Sequence, residues 1–177
     1  MINLEDYDIL KNNISTLKET SKDNHNNESE TFMTQSMLPA VDFDEVKNEY
    51  IRKLHLSENP TSNDALLVLS DKIIFIEFKN GHLDRKDFFD IRAKIYNSVP
   101  ILTDILDKGI SFTRKNVDYI LVYNKTKNMK NYIKNHISQK AKQEIIDAGL
   151  ERFKNYFFRT VHTYDAEEFE DYLQRIK

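Results

Sequence analysis

Three charged residues lie at the open end of what we predict to be a β-hairpin. Asp64 precedes the apolar run Ala65–Leu69, and Glu77 and Lys79 end the next apolar run, which begins at Ile73. Carboxylate oxygens are the ligands that Mg²⁺ and Mn²⁺ prefer, and such an ion polarises a phosphodiester oxygen and lowers the pKa of a bound water. A neighbouring lysine orients that water or stabilises charge on the phosphate. These residue types therefore predict metal-dependent hydrolysis.

The register of the hairpin decides whether the three side chains meet. We predict a two-residue turn at Asp71–Lys72, which places Asp64 opposite Lys79 and leaves Glu77 on the same face of the sheet. The directly opposed Cβ atoms of Asp64 and Lys79 would be about 5 Å apart and those of the diagonal pair Asp64 and Glu77 about 7 Å. Two carboxylates at that separation on an apolar sheet are costly without a cation between them. A turn longer by one residue would send Asp64 to the other face.

An acidic residue, twelve intervening residues and then Glu77-Phe78-Lys79 on an apolar strand resemble the PD-(D/E)xK nuclease superfamily, which has the restriction-endonuclease-like fold. The resemblance covers roughly residues 36–123, including the helices predicted before and after the hairpin. It implies that Asp64 and Glu77 ligate Mg²⁺ or Mn²⁺ together with the main-chain carbonyl of Phe78. It also implies that Lys79 is catalytic.

Many members of that superfamily use a further glutamate from the first helix. The candidates here are Glu45 and Glu49, and the helical angles favour Glu49 as a catalytic residue because it flanks the apolar stripe. Asn63 rather than proline precedes Asp64, a departure at a position that varies within the family.

Further basic residues are candidates for contact with nucleic acid. Arg92 falls within the apolar stripe of the helix after the hairpin, where a guanidinium needs an anionic partner. That partner is a phosphate, an active-site carboxylate or a structural acid. Lys94 points away by the same angles, which predicts a solvated side chain. The tract 125–142 has six lysines and no acid, so that Lys130 and Lys134 either follow a phosphate backbone or line a solvated helix face.

The elements around these residues predict an α/β fold: a central mixed sheet flanked by helices, with a restriction-endonuclease-like core of the αβββαβ type. We expect an N-terminal helical appendage, residues 1–34, and a PD-(D/E)xK-like domain, residues 35–177. The appendage would be an amphipathic helix over 2–19 and a flexible polar linker over 21–31. The domain would have helices from about 42, 83–99, 130–148 and 166–176, and strands over 65–69, 73–78, 117–123 and 156–164. Pro100 would kink or end the second of these helices, with another helical turn or two over 101–106, and Asp165 would be the N-cap of the last helix.

Composition excludes several classes of site. The 177 residues include no cysteine, which removes disulfides and thiol catalysis and favours a cytoplasmic protein. Three glycines, all far apart, cannot build a P-loop or a dinucleotide fingerprint. We find neither a signal peptide nor an apolar run long enough for a membrane span, so no membrane partner is expected.

The leading hypothesis is a Mg²⁺- or Mn²⁺-dependent nuclease acting on DNA or RNA, with DNA as the expected partner, in a defence, mobile-element or repair setting. The alternative is a catalytically silent module on the same fold, which recognises nucleic acid or neutralises a toxin. The net charge of −3 and the acidic N-terminal arm motivate that alternative. The N-terminal helix would pack on the domain, on a second copy in a homodimer, or on a protein partner.

Overall fold

A six-stranded mixed sheet runs through the protein. The computed structural model describes residues 2–23, 30–128 and 149–176. In spatial order the strands of the sheet are β1 (Ile14–Thr16), β4 (Pro39–Asp42), β5 (Ala65–Val68), β6 (Ile73–Lys79), β7 (Val117–Tyr123) and β8 (Val161–Asp165). The last three are parallel and the others antiparallel, which confirms the predicted mixed sheet. A separate ribbon pairs β2 (Lys22–Asp23) with β3 (Thr31–Phe32).

Helices cover both faces of this sheet. They are α1 (Asp8–Lys11), α2 (Leu17–Thr20), α3 (Phe43–Leu54), α4 (Arg85–Ile105), α5 (Ile110–Asn116), α6 (Lys125–Asn128) and α7 (Ala166–Arg175). Residues of α3 and α4 belong to the hydrophobic cluster on one face, and residues of α7 belong to the cluster on the other. None of the helices in the described ranges is long and apolar enough to cross a membrane.

Alternation along β6 assigns its side chains to the two faces. Ile73 and Phe75 join the cluster with α4, whereas Ile74, Ile76 and Phe78 join the cluster with α7. Because side chains alternate along a strand, the residues at 77 and 79 turn toward α4. The strand is apolar on both faces because each face is covered.

The α4 helix is longer than predicted. It starts at the N-cap Asp84, whose side chain forms a reciprocal capping box with Asp87, and it continues through Pro100 to Ile105. The predicted end at residue 99 is therefore wrong, and the helical turns expected after Pro100 belong to the same helix.

The N-terminal segment is not the predicted helix over 2–19. A 3-10 turn at Leu4–Asp6 and α1 are followed by β1, which pairs with β4, and Thr16 then caps α2. Leu10 and Leu17 are fully buried, but in different hydrophobic clusters. Their spacing imitates a helical stripe although they pack on opposite faces of the sheet.

Residues predicted to form an appendage and linker therefore contribute an edge strand and core side chains. The ends of the predicted linker form β2 and β3, and residues 24–29 lie outside the described ranges. The order of elements also differs from the predicted αβββαβ core. Only β5 and β6 stand between α3 and α4, because the third antiparallel strand, β4, precedes α3.

The last helix of the chain begins where it is predicted, whereas the strand before it is shorter than predicted. The α7 helix begins after Asp165, which caps it as predicted in a capping box with Glu168. The strand predicted over 156–164 starts only at Val161, because Phe157 and Phe158 enter the core from a turn. The helix predicted over 130–148 falls outside the described residues.

If the N-terminal segment is part of the folded domain, its buried leucine stabilises the whole protein. We expect Leu17→Ala to lower the free energy of unfolding by about 2–5 kcal/mol, the usual cost of a core leucine. The matched control is Met37→Ala, since the Met37 side chain is 67% exposed and its loss should change stability by less than about 0.5 kcal/mol. Urea unfolding followed by circular dichroism measures both. Equal, small effects of the two substitutions would contradict this placement.

Candidate functional site

The hairpin turns at Ser70–Asp71, one residue before the predicted position. The Leu69 N–H donates to the Lys72 carbonyl over 2.8 Å, and Ala65 pairs with Ile76. Moving a two-residue turn by one residue shifts the register by two, which keeps each side chain on its predicted face. The predicted register is therefore wrong, but the predicted face is right.

In the observed register, Asp64 lies opposite Glu77 rather than Lys79. The first pair of the hairpin is Ala65 with Ile76, so Asp64, one residue before Ala65, lies opposite the residue after Ile76. The main chain of Phe78 fixes the Asp64 carboxylate, since its N–H donates to Oδ2 over 2.6 Å. The Asp64 carbonyl in turn accepts from the N–H of Phe43 over 3.1 Å, which ties the residue to the start of α3.

A lysine of α4 bridges the two carboxylates. Lys94 Nζ lies 2.8 Å from Asp64 Oδ1 and 2.7 Å from Glu77 Oε1. The prediction that Lys94 is solvated is wrong, because its side chain is only 17% exposed. Helical angles give the direction of the Lys94 Cβ atom but not the course of its long side chain, which extends to the hairpin. The signal that could have identified Lys94 was the need of two buried carboxylates for a cation.

Glu77 forms the base of a four-residue charge cluster, defined as Asp64, Glu77, Lys79 and Lys94. Its side chain is completely buried, and Lys79 Nζ lies 3.3 Å from Oε1. Within the part of the chain that the structure describes, Glu77 Oε2 has no hydrogen-bond partner. Two carboxylates and two ammonium groups make the cluster formally neutral, as a buried set of charges requires.

Burial and neighbouring charges together raise the pKa values of Glu77, Asp64 and Lys94. Desolvation, with the Asp64 charge adding to it, raises the Glu77 pKa to about 7, although both lysines oppose the shift. Desolvation also raises the pKa of Asp64, against the effect of Lys94. Burial disfavours the charged form of Lys94, but the two carboxylates outweigh it and raise the Lys94 pKa. The lysine therefore remains an ammonium ion while Glu77 titrates near neutrality.

The charge cluster lies at the wall of a cavity of about 560 Å³. Asp64, Lys79 and Lys94 line the cavity together with Phe78, whereas Glu77 lies behind them. Seven acidic residues line it against three lysines, so its field favours cations. Besides Asp64, the acids of the wall are Glu19, Asp23, Asp42, Asp44, Glu45 and Asp87.

Two other predicted site residues do not reach this cavity. Glu49 accepts a hydrogen bond from Asn13 and pairs with Lys53 at 2.8 Å, while Glu45 of the same helix lines the cavity instead. The side of α3 that bears Glu49 faces Asn13, whose amide donates to the Glu49 carboxylate over 3.0 Å, rather than the cavity. Arg92 is not a lining residue either.

Arg92 packs against its own helix. Its guanidinium lies 5.6 Å from the ring centroid of Phe89, and its Nε is buried without a hydrogen-bond partner among the described residues. Among the described residues, Arg92 makes no ion pair with a carboxylate of the charge cluster. Lys130 and Lys134 lie outside the described ranges.

Acidic and histidine side chains of the described ranges do not assemble in groups of three or more around a common point that could hold a metal ion. What converges is the pair Asp64 and Glu77, with Lys94 between them. Comparisons with protein-family models, curated proteins and solved structures find no match for this chain. Functional interpretation therefore depends on the geometry of the charge cluster.

The raised pKa of Glu77 predicts a pH-dependent stability. The folded protein binds a proton at Glu77 more tightly than the unfolded chain, where the pKa is near 4.5, so stability falls as the pH rises from about 4.5 to about 7. The slope contributed by one such group is at most about 1.4 kcal/mol per pH unit. Glu77→Gln, which does not ionise, should lose this contribution and gain stability relative to the wild type as the pH rises.

Urea unfolding between about pH 5 and pH 7 measures this difference. Glu58→Gln is the control, because Glu58 is exposed and should keep the wild-type profile. Parallel profiles for the wild type and Glu77→Gln would contradict a Glu77 carboxyl that titrates near neutrality.

Proposed function

We propose that this protein is a metal-dependent nuclease that hydrolyses phosphodiester bonds of DNA or RNA at the cavity lined by the charge cluster. The observation that carries the proposal is the convergence of Asp64 and Glu77 from adjacent strands, with Lys79 beside them. The PD-(D/E)xK resemblance names the same three residues. Three charged groups that function requires together thus lie together in the fold.

The pair of carboxylates fits a hard divalent cation. Mg²⁺ is commonly held by one or two carboxylates and several waters, so Asp64 and Glu77 are a sufficient protein contribution. Glu77 Oε2, which has no hydrogen-bond partner among the described residues, is an available oxygen ligand. The Phe78 carbonyl is the third ligand that the resemblance implies. When bound, Mg²⁺ or Mn²⁺ would supply Lewis-acid polarisation of a phosphate oxygen and a more acidic water.

The residues of the chain have separable tasks under this proposal. Asp64 is held in a fixed orientation by the Phe78 N–H and faces the cavity. Lys79 also faces the cavity, with 22% of its side chain exposed, and is placed to bind a phosphate oxygen and stabilise the charge that grows on it. Glu77 lies behind both residues, contacts the two ammonium groups and would be the second carboxylate ligand of the ion.

The acidic lining of the cavity supports cation dependence as well. Seven carboxylates repel a polyanion and attract divalent ions, so that phosphate groups approach favourably only after cations have entered. Without bound cations, the three lysines that line the cavity would not offset the negative potential of the seven carboxylates.

One observation favours the second candidate function, a catalytically silent binding module for nucleic acid or a protein toxin. The charge cluster is already neutral, since Lys94 occupies the place between the carboxylates that a metal ion would take. A protein that only binds could keep such a cluster as a structural ion-pair network. Metal affinity and cleavage distinguish the two candidates.

A cleavage assay tests the proposed reaction. Single- and double-stranded DNA and RNA are incubated with the protein and Mg²⁺ or Mn²⁺, and product is followed on denaturing gels. We expect Glu77→Ala and Lys79→Ala each to lower the cleavage rate by about 100-fold or more, because each removes an electrostatic contribution to the transition state. Lys86→Ala is the matched control, a substitution of an exposed lysine on α4.

Cleavage that survives both Glu77→Ala and Lys79→Ala would overturn the assignment of the site. A wild-type protein that binds nucleic acid but neither cuts it nor binds Mg²⁺ or Mn²⁺ would favour the silent module.

A further inference from the structure

Lys94 has the geometry of a built-in cation. Its ammonium group contacts one oxygen of each carboxylate at 2.8 Å and 2.7 Å, and it comes from α4 rather than from the hairpin. A divalent ion shared by the two residues would need Asp64 Oδ1, because Oδ2 already accepts from the Phe78 N–H, and it would take the place between the carboxylates where the ammonium group lies. The ammonium group and the ion therefore cannot occupy the carboxylate pair together.

Lys94 also separates Glu77 from the cavity. Glu77 is completely buried and is not a lining residue, whereas Lys94 lines the cavity and touches Glu77 Oε1. An ion that enters from the cavity meets Asp64 first, since 16% of the Asp64 side chain is exposed. It reaches Glu77 only if the Lys94 side chain moves.

We propose that Lys94 is an internal competitor of the divalent cation, so that metal binding requires its ammonium group to leave the carboxylate pair. The inference rests on the proposed metal-dependent function and concerns how metal binding at the same site is regulated. Without metal, Lys94 neutralises the carboxylates and keeps them together. With metal, the free ammonium group becomes an additional positive group at the cavity.

The lysine side chain is suited to such an exchange. Its flexible four-carbon stem has many rotamers, and its ion pairs are not fixed in a fork as those of arginine are. On a helix, a side chain leans toward residues three or four positions earlier. Asp90, exposed and one turn before Lys94 on α4, is an available partner for the displaced ammonium group.

Metal affinity measured by calorimetry tests the proposal without relying on catalysis. MgCl₂ and MnCl₂ are titrated into the wild type, Lys94→Met, Lys94→Arg and Lys86→Met. We expect Lys94→Met to bind either metal at least about tenfold more tightly than the wild type, because no competing charge must be displaced. Lys94→Arg keeps a positive charge and should bind no more tightly than the wild type. Lys86→Met, an exposed lysine of the same helix, should stay within about twofold.

A measurement on the wild type keeps the proposal testable if Lys94→Met does not fold. The ammonium protons of a lysine held by two ion pairs exchange slowly with water, so Lys94 should give a ¹⁵N–¹H signal that is absent in Lys94→Arg. We expect Mg²⁺ to abolish or strongly shift this signal as it saturates the protein. An unchanged signal in a metal-saturated wild type would overturn the proposal.

The outcomes separate failure of this inference from failure of the proposed function. If the wild type binds metal and a folded Lys94→Met binds it no more tightly, Lys94 is not a competitor, and the proposed function stands. If neither the wild type nor a folded Lys94→Met binds Mg²⁺ or Mn²⁺, the proposed metal-dependent function is wrong and the inference falls with it.

Discussion

The site depends on one electrostatic constraint: two carboxylates brought together on a buried sheet require positive charge. Asp64 and Glu77 face each other across the β5–β6 hairpin, and burial raises the pKa of both. The cost of leaving such a pair without a cation would exceed most single interactions in the protein. The ammonium group of Lys94 meets this requirement in the structure. Lys79, two residues after Glu77 on the same face of β6, contributes a second positive charge.

The surrounding fold places these four groups through ordinary packing. Apolar faces on both sides of β6 fix its position between α4 and α7, and alternation then turns residues 77 and 79 toward α4. Lys94 lies in the middle of α4, between Ile91 and Ile95, which pack in the same hydrophobic cluster as Phe75 of β6. The position of Lys94 at the carboxylates thus follows from the packing of one helix.

Sequence patterns predicted what depends on local chemistry. A continuous apolar run predicts the limits of β7, and an aspartate directly before the last helix predicts the Asp165 cap of α7; both are confirmed. The predicted turn lies one residue too late because Ser70, Asp71 and Lys72 all suit a turn. Asp64 nevertheless lies on the predicted face of the sheet. Periodicity misled at the N-terminus, where Leu10 and Leu17 pack on opposite faces of the sheet.

The missed elements of the site depend on tertiary contacts. Helical angles do not give the reach of a lysine side chain. They therefore predict a solvated Lys94, although its ammonium group bridges the two carboxylates. That Glu45 lines the cavity while Glu49 binds Asn13 depends on how the N-terminal segment packs on α3, which the sequence of α3 does not contain. A pair of buried acids is itself a signal that a cation must be nearby, whichever element supplies it.

The most direct test of this account is the structure of crystals grown with MnCl₂, using the anomalous scattering of manganese. We expect a Mn²⁺ peak at the carboxylates of Asp64 and Glu77, with Lys94 Nζ moved out of its position between them. A map with no manganese at the carboxylate pair, and with Lys94 still bridging it under saturating Mn²⁺, would contradict the account.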